Sequence, residues 1–220
     1  MKRQAIAIDG PSASGKSTIA RLLADRLNMD YLDTGAMYRA ITLFVLESGA
    51  DPNNEKEVNA LLDRVDITFQ KGDIFVNGKN ASREIRTDAV TGAVSAVSSY
   101  QKVREKMVDQ QRKIAGDQPA ILDGRDIGTV VLPDALLKIF LTASPEVRAQ
   151  RRVNDERSSS TMDYEDILQA IKKRDHFDSH RAISPLRPAE DAVYIDSSEM
   201  TIDQVLEKIQ ELWEERQCTM

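Results

Sequence analysis

The chain has 220 residues, a length that one large domain fills and that buries a core without disulfide or metal staples. Hydrophobic residues make up 41% of it and charged residues 30%, which is typical of a folded globular protein and excludes a disordered one. The formal net charge is -6, whereas a protein that coats duplex nucleic acid needs a basic face. We therefore expect no nucleic acid partner.

The cysteine content and the apolar runs indicate where the protein works. Cys218 is the single cysteine, so no disulfide can form within the chain and a reducing compartment fits. No apolar run reaches the ~18 residues of a membrane span, and Asp9 interrupts the N-terminal run too early for a signal peptide. We expect a soluble, cytoplasmic protein that is monomeric and does not bind membranes.

Short apolar runs alternate with longer segments of helical periodicity. The first run is continuous, which is typical of a parallel strand covered on both faces. The same reasoning predicts strands at 5–8, 29–32, 120–122, 136–141 and 192–195, and helices at 16–28, 35–48, 101–115, 145–156, 163–180 and 201–216. Strands that alternate with helices indicate βαβ units. We therefore predict an α/β fold with three layers, in which helices cover both faces of a five-stranded parallel sheet.

One segment departs from this rhythm. Between 66 and 79 the sequence contains two short β-like runs and then Asn77-Gly78, a dipeptide that is a strong hairpin signal. We predict a single domain over 1–220 that carries a small β-containing insert at about 60–100.

A second segment is polar where the helical pattern pauses. Residues 158–161 read Ser-Ser-Ser-Thr, which is typical of a loop or a mobile flap. We predict a mobile lid at about 148–163.

The first predicted strand leads into a glycine-rich loop that opens the first predicted helix. The loop fits the pattern G-x-x-x-x-G-K-[ST] and reads Gly10-Pro11-Ser12-Ala13-Ser14-Gly15-Lys16-Ser17-Thr18. Glycines let the backbone wrap a phosphate, and backbone N–H groups and the helix N-terminus then point at the anion. In such loops the lysine reaches the β- and γ-phosphate oxygens, and the hydroxyl of the following residue, here Ser17, can ligate Mg²⁺. The alternative, a glycine-rich turn with a surface lysine, does not explain the position between a strand and a helix.

Asp123 follows the buried run 120–122. In phosphate-binding folds of this kind, a second acidic group at the end of a strand orients the metal shell. The alternative is an aspartate that caps the turn before Gly124. We include Asp123 as a candidate that acts on Mg²⁺ through a water molecule.

Arginine is concentrated in the second half of the chain. Of 18 arginines, eight lie between Arg125 and Arg187. Because arginine is a planar bidentate donor, this concentration in an acidic protein indicates several phosphates to be bound. A solvated helix face is the alternative for part of the set. It applies to Arg174 and Arg181, which lie two helical turns apart with Asp178 between them.

Other chemistries are disfavoured by the residues that the chain lacks. His176 and His180 have neither the adjacent glutamate nor the third ligand that a zinc site needs, so we interpret them as surface residues. The chain has no Cys-x-x-Cys, no Gly-x-Gly-x-x-Gly and no Asn-Lys pair for reading guanine. A phosphate-binding loop, Mg²⁺ and arginines suffice for phosphoryl transfer, which needs positioning and charge neutralisation more than covalent help.

Four blocks of sequence are specific when they are taken together. They are the glycine-rich loop, Asp33-Thr34-Gly35-Ala36-Met37-Tyr38-Arg39, residues 123–131 (Asp-Gly-Arg-Asp-Ile-Gly-Thr-Val-Val) and the run 174–186. With these blocks the whole chain resembles bacterial-type cytidylate kinase, a family of nucleoside monophosphate kinases. The stretch 84–87 and the hairpin near it are similar to that family's enlarged nucleotide-binding insert. The resemblance implies a P-loop kinase fold and Mg²⁺-dependent transfer of phosphate from ATP to CMP and dCMP.

The resemblance also implies a role for each candidate side chain by motif position. Around the acceptor nucleotide, mainly its phosphate, it places Thr34, Tyr38, Arg39, Arg125 and Arg181. At the base it places Ser95, Arg104 and Asp126, and at the sugar Arg174 and Asp178. In the lid that closes over the phosphates it places Arg151 and Arg152. The expected catalytic set is Lys16, Arg125, Arg151, Arg152 and Arg181.

Hydrogen-bonding chemistry supports the base assignment. Cytosine offers an amino donor at N4 and acceptors at N3 and O2, so a carboxylate and an arginine complement it. Uracil reverses two of these polarities and would leave Asp126 facing an acceptor. An unmatched buried polar group costs ~1–3 kcal/mol, enough for roughly ten- to a hundredfold selectivity.

The chain departs from the family pattern at two places. Ala13-Ser14 stand where many members carry Gly-Ala, and the lid around Arg157 lacks the lysine and glycine often found there. Arg157 is therefore not included in the candidate site. Two alternatives remain open: a P-loop kinase of another small acceptor, and a nucleotide-dependent switch whose insert binds a protein partner.

Overall fold

The computed structural model describes residues 2–70, 72–155 and 162–218. Within these ranges the strands are β1 (Arg3–Asp9), β2 (Asp30–Asp33), β3 (Ile67–Gln70), β4 (Asp73–Val76), β5 (Lys79–Asn80), β6 (Ala120–Gly124), β7 (Ala135–Thr142) and β8 (Val193–Asp196). The helices are α1 (Lys16–Leu27), α2 (Thr34–Glu47), α3 (Glu55–Leu61), α4 (Asp88–Val97), α5 (Gln101–Ala115), α6 (Pro145–Val153), α7 (Tyr164–His180) and α8 (Ile202–Cys218).

Strands β2, β6, β1, β7 and β8 lie side by side in that order and pair in parallel. All five predicted strands are present, and the six predicted helices correspond to α1, α2, α5, α6, α7 and α8. The predicted α/β class with a five-stranded parallel sheet is confirmed. Helix α4 had no separate prediction because its sequence, rich in valine and containing a glycine, has low helix propensity. It is helical because Val90, Val94 and Val97 are buried by packing.

The sheet separates two hydrophobic cores, and the side chains of β1 alternate between them. Ala5 and Ala7 belong to the core that includes residues of α2 and α5, whereas Ile6 and Ile8 belong to the core with α1 and α8. All four side chains are fully buried. The continuous apolar run of β1 is therefore a consequence of burial on both faces of a parallel sheet.

Strands β3, β4 and β5 form a small antiparallel sheet. The turn between β4 and β5 is Asn77-Gly78, with φ of 49° and 79°, so both residues adopt the left-handed conformation that a tight hairpin turn requires. Ile67 and Ile74 are buried in the same core as the apolar residues of α2. The small sheet therefore shares its core with the parallel sheet rather than building a separate one.

The strand order places the glycine-rich loop at a crevice. From β1 the chain crosses to β2 at one edge, returns to β6 beside β1, and then crosses to β7 on the other side of β1. The connection from β1 leads toward one edge of the sheet, and the connection from β6 leads toward the other. Between two such strands a crevice opens at their carboxyl ends, and ligands bind there. The loop after β1 therefore meets Asp33 of β2 and Asp123 of β6, which are paired in register at this edge.

Helices α6 and α7 pack against each other through Ala149, Ile167, Leu168 and Ile171, and Ala13 of the glycine-rich loop joins this cluster. Residues 156–161, at the centre of the predicted lid, lie outside the described residues, so the lid stays a prediction. None of the helices in the described ranges is long and apolar enough to cross a membrane.

A substitution at Gly10 tests how closely the glycine-rich loop approaches the sheet. The φ of Gly10 is 151°, and a Cβ at this position would lie 2.0 Å from the carbonyl oxygen of Leu141. Because that atom is backbone of a central strand and cannot yield, Gly10→Ala should lower the free energy of unfolding by more than about 3 kcal/mol, measured by urea denaturation. Gly92→Ala makes the same change inside α4, where the new Cβ meets nothing within 4 Å. It should raise stability by about 0.5–1 kcal/mol. Wild-type stability of Gly10→Ala would contradict the close approach.

Candidate active site

The loop between β1 and α1 is shaped to receive an anion. Gly10, Ala13 and Gly15 have φ of 151°, 59° and 91°, and conformations of this kind turn backbone N–H groups toward one side of the chain. Gly15 is the N-cap of α1, no side chain caps that helix, and its first turn holds no acidic residue. The first N–H groups of α1 are therefore left for a ligand, at the positive end of the helix dipole.

Lys16 is buried beside this loop, with its Nζ donating to the carbonyl oxygen of Pro11 at 2.8 Å. Burial, and then the nearby Arg125 guanidinium, lower the pKa of Lys16 to about 7, although the Asp123 and Asp9 carboxylates oppose this change. A phosphate group placed in the loop would favour the charged form of Lys16. The side chain is thus held ready for an anion that the protein itself does not provide.

Ser17, Asp123 and Tyr31 form a hydrogen-bonded group next to Lys16. Ser17 Oγ donates to Asp123 Oδ2 at 2.8 Å, and the Tyr31 hydroxyl donates to Asp123 Oδ1 at 2.9 Å. Burial, and then the Asp33 carboxylate, raise the pKa of Asp123 to about 6. Hydroxyl and carboxylate oxygens are the donors that Mg²⁺ prefers. Among the described residues no group of three or more His, Cys, Asp or Glu side chains is placed to hold a metal ion.

A small cavity of about 60 Å³ is lined by residues of α2, α4, α5 and α7 and by the turn that follows Asp123. It brings together nine of the ten side chains predicted around the acceptor: Thr34, Tyr38, Arg39, Arg104, Arg125, Asp126, Arg174, Asp178 and Arg181. Ser95 is the exception. It lies on α4, where its carbonyl oxygen accepts a hydrogen bond from Ser98 Oγ, and Ser98 rather than Ser95 lines the cavity.

Arg104 and Asp126 form a buried ion pair at one end of this small cavity, each side chain being 4% exposed. Arg104 also donates to the carbonyl oxygen of Ser98 at 3.1 Å, and its guanidinium carbon lies 5.2 Å from the centre of the Tyr38 ring. Its Nε and the Nη2 of Arg181 are buried without a hydrogen-bond partner in the described part of the chain. Buried donors are normally paired, so these atoms indicate that a polar ligand completes the cavity.

Arginines dominate the opposite end of the small cavity. Arg125 Nε donates to Asp178 Oδ2 at 3.0 Å, and Arg174 Nε lies 3.8 Å from the same oxygen. Burial alone would raise the pKa of Asp178, but the two guanidinium groups hold it below its ordinary value. Burial, and then Arg125, lower the pKa of Arg174 to about 10. Positive charge exceeds negative charge here, which favours an anionic ligand.

A larger cavity of about 640 Å³ extends from the glycine-rich loop to the start of α8. Arg151 and Arg152 both line it. Arg151 bonds to carbonyl oxygens of two loops, that of Ser14 at 3.2 Å and that of Ser197 at 2.7 Å. Arg152 lies 4.0 Å from Asp155, and its side chain is 28% exposed. The two predicted lid arginines therefore lie in one cavity but have different surroundings.

The two cavities share part of their lining. The common residues are Gly35, Arg39, Gly124, Arg125 and Arg174. Three of the five carry a guanidinium group. A phosphate in the larger cavity and a phosphate in the smaller one would therefore meet at the same arginines.

Three buried groups of the site were not among the sequence candidates. Asp9 accepts hydrogen bonds from the backbone N–H groups of Ile127 and Gly128, both at 2.8 Å, and so connects the end of β1 to the turn after Asp126. Burial raises the pKa of Asp9 to about 7, against the effect of these two bonds. The position of Asp9 immediately before the glycine-rich loop was the available signal.

The other two are Asp33 and Arg148. Asp33 caps α2 by accepting from the N–H of Ala36 at 2.8 Å, and it also accepts from Arg39 at 3.0 Å. Arg148 donates to the carbonyl oxygen of Ser12 at 3.2 Å and to Asp175 at 2.6 Å. It therefore ties the loop to α6 and α7. Two features of the sequence could have indicated these residues. Asp33 is the first residue of the Asp33–Arg39 block, and Arg148 lies close in the chain to Arg151 and Arg152.

Comparisons with known proteins agree with this geometry. A family model described as cytidylate kinase matches residues 6–215. The cytidylate kinase of Lactobacillus johnsonii is 48% identical over 217 residues, which cover 96% of this chain and 94% of that protein. The cytidylate kinase of Mycobacterium leprae is 48% identical over 214 residues, 96% of each chain. That of Clostridium botulinum (strain Langeland) is 43% identical over 205 residues, which cover 93% and 94%.

Among solved structures, a gluconokinase from Sinorhizobium meliloti matches with a TM-score of 0.52 at 13% identity and covers 97% of each chain. This likeness concerns the fold alone. The fold and its glycine-rich loop define a P-loop kinase, a transferase that acts on small molecules. Within that class, the chain belongs to the cytidylate kinase family.

The buried acids make the stability of the ligand-free protein depend on pH. The pKa of Asp9 is raised to about 7 and that of Asp123 to about 6, both from 3.8. Between pH 5 and 6 these two carboxyl groups therefore keep protons in the folded state that they have lost in the unfolded state, and the free energy of unfolding should fall as the pH rises, by up to about 1.4 kcal/mol per pH unit for each group. Toward pH 7 the fall should level off, because Lys16, with its pKa lowered to about 7, begins to lose in the folded state a proton that it keeps in the unfolded state.

Urea denaturation at pH 5, 6 and 7 measures this slope, and Asp9→Asn should make it shallower. Asp191→Asn is the control. Burial alone would raise the pKa of Asp191, but its bond to Lys138 holds it below the ordinary value, so Asp191 is ionised in both states above pH 5. Its substitution should leave the slope unchanged. Equal slopes for wild type and Asp9→Asn would contradict the raised pKa.

Proposed function

We propose that the protein transfers the γ-phosphoryl group of ATP to the phosphate of CMP and dCMP, forming CDP and dCDP. The observation that carries the proposal is the shared lining of the two cavities, where Arg39, Arg125 and Arg174 belong to both. Two nucleotides that enter from opposite sides would place their phosphates together there. Membership in the cytidylate kinase family supports this choice of substrates.

ATP would occupy the larger cavity. The residues proposed to bind its phosphates are Gly10, Pro11, Ser12, Ala13, Ser14, Gly15, Lys16, Ser17 and Thr18. Mg²⁺ would be held by the Ser17 hydroxyl and, through water, by Asp123, because these are hard oxygen donors beside the loop. When bound, the ion neutralises charge on the phosphates of the nucleotide.

CMP would occupy the smaller cavity. Arg104 and Asp126 complement cytosine, because one side chain donates hydrogen bonds and the other accepts them. Ser95 remains a proposed base residue on the resemblance, whereas the structure shows Ser98 in the lining. Thr34, Tyr38, Arg39 and Arg181 would contact the phosphate side. Arg174 and Asp178 would contact the sugar.

The transfer needs no covalent intermediate on the protein. An oxygen of the CMP phosphate attacks the γ-phosphorus in line, the bond to the β–γ bridging oxygen breaks, and ADP leaves with that electron pair. The protein's share is to hold the two phosphates close and to neutralise the charge that keeps them apart. Lys16, Arg125, Arg151, Arg152 and Arg181 are the proposed groups. A lid at 148–163 that excludes water would suppress hydrolysis of ATP.

We propose that the active unit is a monomer, since this chain contains all the residues proposed to bind the two nucleotides. We also propose that the protein acts in the cytoplasm, since it has one cysteine and its substrates are phosphorylated nucleotides.

A coupled ADP-release assay with ATP and Mg²⁺ tests the proposal across CMP, dCMP, UMP, AMP, GMP and shikimate. We expect fast turnover confined to CMP and dCMP. Lys16→Ala should lose at least about a hundredfold in turnover, because the γ-phosphate loses its cation. It should unfold no more easily than wild type, since burial disfavours the charge of Lys16. Turnover with another acceptor would overturn the substrate assignment, and nucleotide-dependent binding of a protein without any acceptor turnover would favour a switch.

Asp126→Asn tests the reading of the base. The amide presents a donor where the carboxylate accepts from N4 of cytosine, so the ratio of kcat/KM for CMP over UMP should fall about ten- to a hundredfold. Asp178→Asn is the matched control, because it makes the same change in the same cavity next to the arginines. It should lower kcat/KM for CMP and kcat/KM for UMP by the same factor. An unchanged ratio in Asp126→Asn would remove Asp126 from base recognition.

A further inference from the structure

Tyr31 lies behind the candidate metal site. It is on β2 and packs partly buried against the core that includes residues of α1. Ser17 and Asp123 line the larger cavity, but Tyr31 does not. Its hydroxyl reaches the carboxylate of Asp123 at 2.9 Å. Tyr31 therefore contacts the site without facing the space that a nucleotide would occupy.

The Asp123 carboxylate is held through both of its oxygens. Tyr31 donates to Oδ1, and Ser17 donates to Oδ2 at 2.8 Å. Thr34 also bonds to Asp123, but to its backbone carbonyl oxygen and not to the carboxylate. Without the Tyr31 bond, the Ser17 bond to Oδ2 alone would orient the carboxylate.

The orientation of this carboxylate decides how Ser17 presents its hydroxyl. A hydroxyl has one hydrogen and two lone pairs. When the hydrogen is directed at Asp123 Oδ2, the lone pairs remain for a cation in the cavity. Outer residues that orient a metal-binding group in this way change metal affinity without touching the metal.

Tyr31 is the donor in this hydrogen bond, because the oxygens of an ionised carboxylate can only accept.

We propose that Tyr31 is a positioning residue for magnesium: its hydroxyl orients the Asp123 carboxylate and, through it, the Ser17 hydroxyl that would hold Mg²⁺ on the bound nucleotide. The proposal rests on the function proposed above and adds a residue that touches neither nucleotide nor metal. It requires that Tyr31 affects the magnesium-dependent part of nucleotide affinity and not the rest.

Isothermal titration calorimetry with ADP, in excess Mg²⁺ and separately in EDTA, separates these two parts. Tyr31→Phe removes the hydroxyl and keeps the ring that packs in the core. We expect its affinity for ADP in Mg²⁺ to fall by about five- to tenfold, as for the loss of a typical hydrogen bond. Its affinity in EDTA should stay within about twofold of wild type.

Tyr100→Phe is the matched control, because its hydroxyl also makes one hydrogen bond, to the carbonyl oxygen of Pro52 at 3.0 Å, and it lines neither cavity. It should change neither affinity. If Tyr31→Phe lowered the affinity for ADP equally in Mg²⁺ and in EDTA, or if its affinity in Mg²⁺ equalled that of wild type, the positioning role would be overturned. The proposed function would stand in both cases. A wild-type protein that gained no affinity from Mg²⁺ would overturn both the metal site and this role.

Discussion

The site depends on charges that the fold buries without full compensation at the carboxyl ends of the strands. Lys16 is held at a depressed pKa, whereas Asp9 and Asp123 are held at raised ones. In each case burial is the largest cause, so the protein carries these groups at some expense in stability. A phosphate with its metal would supply the missing charges, and binding it would therefore stabilise the folded state.

The hydrophobic core offsets the cost in stability of burying these charged groups. β1 is buried on both faces, and its last residue is Asp9, which leads directly into the loop. The loop can begin where it does because Gly10 fits against the backbone of β7. The same packing holds Asp9 next to the glycine-rich loop.

Connections between distant parts of the chain join the two cavities. Asp9 fixes the turn that follows Asp126, Asp33 holds Arg39, and Arg148 joins the loop to α7 through Asp175. None of these bonds is part of the chemistry of transfer. The proposed transfer would depend on them, because they hold residues that line the two cavities, and phosphoryl transfer depends on positioning.

The contiguous features could be predicted from the sequence. The glycine-rich loop could be recognised because its pattern lies in nine adjacent residues. Hydrophobic periodicity predicted all five strands of the parallel sheet. The acceptor residues came from motif positions, and the structure gathers all of them except Ser95 into one cavity. The bounds of helix α4 had no separate prediction, because packing, and not propensity, makes this segment of the insert helical.

The pairings were decided by the tertiary structure. Asp9 and Ile127 are separated by 118 positions, and Tyr31 and Asp123 by 92. Nothing local to either partner indicates the other, because a hydrogen bond depends on strand order, register and rotamer. The sequence by itself therefore determined which chemical groups the protein has and the elements that carry them. Only the folded sheet decided which groups meet, since its strand order brings the ends of β1, β2 and β6 to one edge.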